Sequence, residues 1–172
     1  MIKKIGNGKS LLIRNAEAKD AEEIIIMVKQ VIDETGFFPH TAEEFNVTVE
    51  HEVEYIKITA LFLLVEIDGK IVGSATLNRN DLIKLNHIVT FGITILKEYC
   101  GLGIGSLLME KIIECTKSNG IEKIELEVFE NNTSAIMLYK KFGFVEEGRK
   151  RKYIKTNEGY QDMILMGRFL ED

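Results

Sequence analysis

The sequence has one proline, two cysteines and no uninterrupted apolar run near the roughly 20 residues of a membrane-spanning helix. No membrane partner is expected. Cys100 and Cys115 make a poor basis for a disulfide framework, so a reducing compartment suits them. The opening MIKKIGNGKS carries two lysines but neither an apolar h-region nor a cleavage signal. No export is expected, and the location read from these features is cytoplasmic. A basic surplus is also missing: the net charge of −5 argues against a general nucleic-acid surface. His40, His51 and His87 lack metal-ligand spacing with either cysteine, and no metal is expected. Repeats, low-complexity tracts and Pro/Gly/Ser linkers are missing too. What is present, 172 residues with 45% hydrophobic and 28% charged side chains, describes one soluble globular domain spanning 1–172.

Hydrophobic periodicity orders the elements. SLLIRNA reads as a short strand. Ala21, Ile24, Ile25, Val28, Val31 and Ile32 mark a helix ending near Gly36. FFPH, with the only proline, reads as a loop, and Thr41 to about Ile58 as one broken helix. LFLLVEI and KIVGSATL are strands joined by Asp68-Gly69, a two-residue hairpin signal. A third strand runs from about His87 to Leu96. Ile104, Leu107, Leu108, Ile112 and Cys115 form an apolar helical stripe, with Glu110, Lys111, Glu114 and Lys117 off it. KIELEVF alternates as a strand. NTSAIMLYKKF reads as a helix with an Asn cap and Gly143 just past its end. Two strands follow, near Phe144–Ile154 and Tyr160–Phe169. The order predicts a mixed α/β layer structure.

Gly101, Gly103 and Gly105 crowd the junction between the third strand and the apolar helix. A strand that enters a helix through a glycine turn makes an anion site. First-turn N–H groups have no intrahelical partner, the helix dipole adds positive potential, and glycines permit φ > 0 and close approach of backbone to phosphate. A P-loop would need Lys-Ser/Thr after the last glycine, where Ser106-Leu107 stands. A Rossmann fingerprint would need a third glycine where Ser106 stands, and further βα units beyond Phe129. A tight structural turn without ligand stays open on these residues alone.

ITILKEYCGLGIGSLLMEKII followed by LEVFENNTSAIMLYKKFGF closely resembles the GNAT superfamily of acetyl-CoA-dependent N-acetyltransferases. The first part resembles its Arg/Gln-x-x-Gly-x-Gly/Ala motif and the second its Asn-x-x-Ala-x-x-x-Tyr helix ending in Gly-Phe, about 25 residues on. Either motif alone is a weak signal; together, at this separation, they are specific. The resemblance covers essentially the whole chain and implies a central, mostly antiparallel twisted sheet of about seven strands flanked by about four helices.

It also implies a site. Ile93 and Ile95 would offer backbone groups to the pantetheine arm as if it were an added strand. Cys100, Gly101, Leu102, Gly103, Gly105 and Ser106 would wrap the pyrophosphate, Asn132 would hold the arm, and Tyr139 would face the thioester sulfur and protonate it. Two departures stand out: Cys100 replaces the family's Arg or Gln, and Thr90 falls where many relatives carry a glutamate base. The base is therefore unassigned, with His87 a candidate for its ordinary pKa. Direct transfer from acetyl-CoA to a primary amine in a ternary complex is the implied activity. A non-catalytic CoA-sensing or partner-binding domain is the alternative that Thr90 and Cys100 favour.

Between Asp33 and Tyr55 lie seven acidic residues and no lysine or arginine. As an exposed rim, including Glu43, Glu44, Glu50 and Glu52, they would attract a cationic amine; as a solvated helix face they would do nothing. The expected partners are a small cationic, polyamine-like or protein amine, with a homodimer as the assembly if the chain self-associates. In RKRK, Arg149–Lys152, strand alternation puts Arg149 and Arg151 on one face and Lys150 and Lys152 on the other, the pattern of a charged edge strand.

Overall fold

In a computed structural model, residues 2–4, 10–117 and 119–170 are described. The elements run β1 (Ile2–Lys4), β2 (Ser10–Asn15), α1 (Ala21–Thr35), α2 (Val49–Ile58), β3 (Leu61–Ile67), β4 (Lys70–Arg79) and β5 (Ile88–Ile95). Then come α3 (Ile104–Lys117), β6 (Lys123–Phe129), α4 (Thr133–Lys141), β7 (Val145–Thr156) and β8 (Gly159–Phe169). This is the mixed α/β fold expected, with four helices, about seven full strands and the three-residue β1 beside them.

The chain forms two compact units, Met1–Asn78 with Gly92–Ile112 and Arg79–Phe91 with Ile113–Asp172. In the first the strand order is β1-β2-β3-β4-β5, and the pairs from β1 to β4 are antiparallel. Phe62, Leu63, Leu64 and Val65 are all buried in succession, the mark of a strand covered on both faces. Asp68 and Gly69 both take positive φ in the β3–β4 turn, as the hairpin signal required. Along α1 the buried positions are Ala21, Ile24, Met27, Val31 and Ile32, one 3.6-residue stripe. Along α3, Ile104, Leu108, Met109 and Ile112 are buried.

The segment from Thr41 is not one broken helix. A turn at 42–44 and an irregular stretch precede α2, whose start is capped where the Thr48 side chain accepts from His51 N–H.

In the second unit the order is β5-β6-β8-β7. The β5–β6 pair is parallel and covers only Ile88↔Lys123 to Thr90↔Glu125. Strands β6 and β7 both run antiparallel to β8. Strand β7 is the edge, as expected, but its regular alternation fails. The register jumps from Lys150↔Met163 to Ile154↔Gln161. Lys152 takes φ 52° and gives its N–H to Asp162 Oδ1 at 2.7 Å. A bulge of this kind twists an edge away from further pairing.

A partly buried charge cluster, centred on the buried Asp20, ties β2 to the start of α1. Arg14 reaches Asp20 through Nη1–Oδ2 at 2.6 Å and Nη2–Oδ1 at 2.9 Å, and Glu66 through Nε–Oε1 at 2.7 Å. The Arg14 hydrogen bonds hold the Asp20 carboxyl below its ordinary value. A lowered folded pKa stabilises fully above the unfolded value of about 3.9 and is lost as pH falls through the folded value. Asp20→Asn is expected to cost on the order of 3 kcal/mol at pH 7. In urea titrations the gap from the parent should close in acid, below the ordinary carboxylate range.

Candidate functional site

The glycine turn lies wholly within the first unit. Strand β5 ends in a one-turn 3-10 segment, Lys97–Tyr99, and the chain then passes Gly101 and Gly103 at φ 79° and 82° before α3 begins. A Cβ at either glycine would meet nothing within 4 Å. The protein's own packing does not demand glycine there; the left-handed backbone does, and the space in front is open. Gly105 is already inside the first turn of α3. The ladder of α3 starts with Leu107 N–H to Gly103 C=O at 3.1 Å, so the N–H groups of Ile104 and Gly105 precede it. No acidic side chain occupies that turn, which leaves the dipole's positive end uncompensated. Leu102 is exposed on the turn.

Glu34 of α1 fixes the entrance, accepting from Lys97 N–H at 3.1 Å and from the Gln30 amide at 2.6 Å. Cys100, although an exposed residue, folds its Sγ back toward the carbonyls of Leu96, at 3.6 Å, and Ile95, at 3.9 Å. Burial of the thiol, then Glu34, pushes its pKa up. The sulfur stays protonated, the opposite of a reactive cysteine. It supplies no charge in place of an arginine.

The C-terminal half of β5 is pressed onto β4. Leu96 N–H reaches Val72 O at 2.9 Å and Thr76 lies against Gly92, so the strands run in opposite directions. A Cβ at Gly73 would stand 2.8 Å from the Thr94 carbonyl oxygen; glycine there permits the close approach. Antiparallel alternation turns the peptide groups of Gly92 and Thr94 toward β4 and those of Ile93 and Ile95 away from it. The ladder to β6 stops at Thr90. Ile93 and Ile95 therefore present N–H and C=O groups without a strand partner among the described residues.

Asn132 and Tyr139 belong to the second unit. Asn132 Oδ1 caps α4 by accepting from Ala135 N–H at 3.2 Å. At the other end Phe144 N–H bonds Tyr139 O and Gly143 N–H bonds Lys140 O, with Gly143 at φ 80°. This is a Schellman closure, and its usual apolar contact is the Tyr139–Phe144 ring pair at 5.9 Å. Phe91 closes the ring edge-on at 6.1 Å. The Gly-Phe after the helix thus locks Tyr139, which is buried and whose phenol is pushed well above its ordinary value by that burial. His87 is half-buried ahead of β5, and its carbonyl accepts from Glu122 and Lys123 N–H.

Asn132→Ala should cost about 1 kcal/mol through the lost cap, whereas Asn132→Asp keeps the cap oxygen and should melt within about 0.5 kcal/mol of the parent. Thermal melts of the two variants separate cap from ligand contact: a cofactor contact through the amide predicts weaker acetyl-CoA binding in both.

The acidic segment is not a uniform rim. Glu43, Glu44 and Glu50 are exposed, but Glu34 and Glu44 accept backbone N–H bonds and Glu52 is buried. Sequence reasoning grouped Glu52 with the exposed acids, where the fold buries it, and it missed Gly73, Thr76 and Asn78. For Gly73 a signal existed, since a lone glycine inside a strand marks close backbone approach. Among the described residues no cluster of three His, Cys, Asp or Glu could hold a metal ion, and no helix is long and apolar enough to cross a membrane.

The sequence model of the Acetyltransferase (GNAT) family matches residues 26–144. An L-amino acid N-acetyltransferase of Escherichia coli strain K12 is 34% identical over 161 residues, covering 92% of this chain and 97% of that protein. An N-alpha-acetyltransferase of Sulfurisphaera tokodaii is 33% identical over 162 residues, 88% of this chain and 90% of that one. The crystal structure of a GNAT-family acetyltransferase from Streptococcus pneumoniae superposes with a TM-score of 0.88 at 34% identity, covering 94% and 99% of the two chains.

Proposed function

Since this chain belongs to the GNAT family and is an acetyl-CoA-dependent acyltransferase, we propose that it works as one domain to acetylate a primary amine by direct attack in a ternary complex. The acceptor is a small cationic amine or a protein amine. The names of the relatives, an L-amino acid and an N-alpha-acetyltransferase, favour an α-amino group. The observation that carries the reading is the pair of left-handed glycines delivering an open-sided strand into a helix start free of acid.

In this reading the turn from Cys100 to Ser106 receives the pyrophosphate on backbone N–H groups beyond Cys100, whose own N–H is bonded to Lys97 O. Cys100 shapes the start of the turn and Leu102 takes part through backbone alone. Ile93 and Ile95 hold the pantetheine arm with their outward peptide groups. The Ile93 N–H also lies where charge develops on the thioester oxygen. Asn132 contributes its remaining amide to the arm. As the amine nitrogen bonds to the carbonyl carbon and the C–S bond breaks, Tyr139 donates a hydrogen bond to the departing sulfur. The protonated Cys100 argues against a covalent acetyl-cysteine.

Thiol release from acetyl-CoA tests the proposal, measured with spermidine, L-phenylalanine and an alanine-initiated peptide. Amine-dependent release with at least one of them is expected; release no faster than without amine, across the panel, would sink it.

A further inference from the structure

The polar face of β4 opposes α2. Ser74, Thr76 and Asn78 alternate onto one face, with Ser74 buried and the other two half-buried. Their neighbours across the ladder are Leu64 and Phe62, and on the β5 side Gly92 brings no side chain against Thr76. Helix α2 lies over this face. Asn78 donates to the Tyr55 hydroxyl at 2.9 Å, the Tyr55 ring meets Phe62 edge-on at 5.8 Å, and Thr59 Oγ1 donates to Tyr55 O at 2.6 Å.

One turn earlier on the same face of α2 sits Glu52, at i−3 from Tyr55. It is 7% exposed, and among the described residues nothing pairs with its carboxylate. A buried carboxylate without a cation is a standing cost to the fold. Surface acids are the rule on a solvated helix face; this one is sunk into the protein with only its carboxylate tip in reach of solvent, the disposition of a group that receives a cationic partner from outside the chain. Its geometry places that partner. Strand β5 runs toward the glycine turn, so an arm anchored there and lying along Ile95 and Ile93 carries its acyl end back toward Gly92. Gly92 is exposed and has the Thr76 hydroxyl 3.1 Å from where its Cβ would stand, with Asn78 two residues further along the same face of β4.

Resting on the acetyltransferase reading, we infer that Glu52 is the acceptor-binding carboxylate and the proton acceptor of the reaction, with the Tyr55–Asn78 pair and Thr76 orienting the amine over Gly92. The acceptor arrives as an ammonium and pairs with Glu52. One proton passes from nitrogen to the carboxylate and on to water; the nitrogen lone pair then forms the N–C bond. As the C–S bond breaks, the second nitrogen proton balances the thiolate to give free thiol. Burial pushes the Glu52 pKa up, which narrows the gap to an α-ammonium near 7.7–8.0. The arrangement selects a cation of modest basicity over a lysine-type amine near 10.4.

The test uses the full chain, the best amine of the panel above, calorimetry with acetyl-CoA and thermal melting. Glu52→Gln should lower kcat/KM for the amine about 100-fold, leave the acetyl-CoA Kd within about twofold, and melt no lower than the parent, because an unpaired buried carboxylate has gone. Glu52→Asp should recover part of the rate. An unchanged rate in Glu52→Gln, or a rate that falls only together with melting temperature and acetyl-CoA affinity, overturns the inference while the parent's own activity keeps the acetyltransferase reading. Full loss of activity in His87→Gln beside an active Glu52→Gln assigns the base to His87 and overturns it too. A parent that transfers to no amine overturns both.

Discussion

Valine in place of Gly103 should abolish measurable acetyl-CoA binding while the protein still folds. The residue sits at φ 82°, where a side chain costs about 1–2 kcal/mol and a β-branched one is a stronger outlier. That is a fraction of the 5–15 kcal/mol that holds a typical domain. A Cβ at this position meets no protein neighbour within 4 Å, so the side chain starts into open space rather than into the fold. Its atoms project into the space in front of the α3 N-terminus. Two lost hydrogen bonds to a charged oxygen, about 1.5–3 kcal/mol each, weaken binding by roughly two to four powers of ten at about 1.4 kcal/mol per decade. Calorimetry with acetyl-CoA reads the loss and circular dichroism the intact fold. Equal affinity in a folded variant removes the turn from the binding site.

Tyr139→Phe is the second large expected effect: kcat falls about 100-fold, KM for acetyl-CoA stays nearly constant, and the melting temperature is unchanged. The ring contacts with Phe91 and Phe144 survive in phenylalanine. Among the described residues the hydroxyl has no partner to strand. The raised phenol pKa means that the group keeps its proton through the neutral range and acts as a hydrogen-bond donor to sulfur. A freely dissociating acid would impose its own fall in rate at alkaline pH; this residue adds none below its ordinary value of about 10. Steady-state kinetics that show an unaltered kcat would leave Tyr139 a core side chain held by the Schellman closure.

Strong periodicity made α1, the β3–β4 hairpin and α3 readable, because apolar spacing and turn chemistry there agree with tertiary burial. The glycine turn was readable for the same reason: Gly101 and Gly103 are dictated by local backbone geometry. Helix α2 was not, because VEHEVEYIKI turns a glutamate inward and leaves Val49 and Ile58 exposed, so the apolar signal points the wrong way. Charge suggested that Glu52 is solvated, and only the fold shows it buried. The bulge in β7 was hidden because its cause, Asp162 accepting the Lys152 N–H, lies on the neighbouring strand.

Because β5 is paired through Gly92 and Thr94 on one side and open through Ile93 and Ile95 on the other, it carries a built-in isotope clock. In deuterium oxide the free protein should exchange the Ile93 and Ile95 amides quickly and the Gly92 and Thr94 amides slowly, an alternation within four consecutive residues. Saturating acetyl-CoA should slow the first pair and leave the second as it was. Exchange followed by nuclear magnetic resonance would therefore register occupancy residue by residue without any turnover, even for an analogue that cannot react. The same strand would then report whether a variant that has lost catalysis has also lost its grip on the arm.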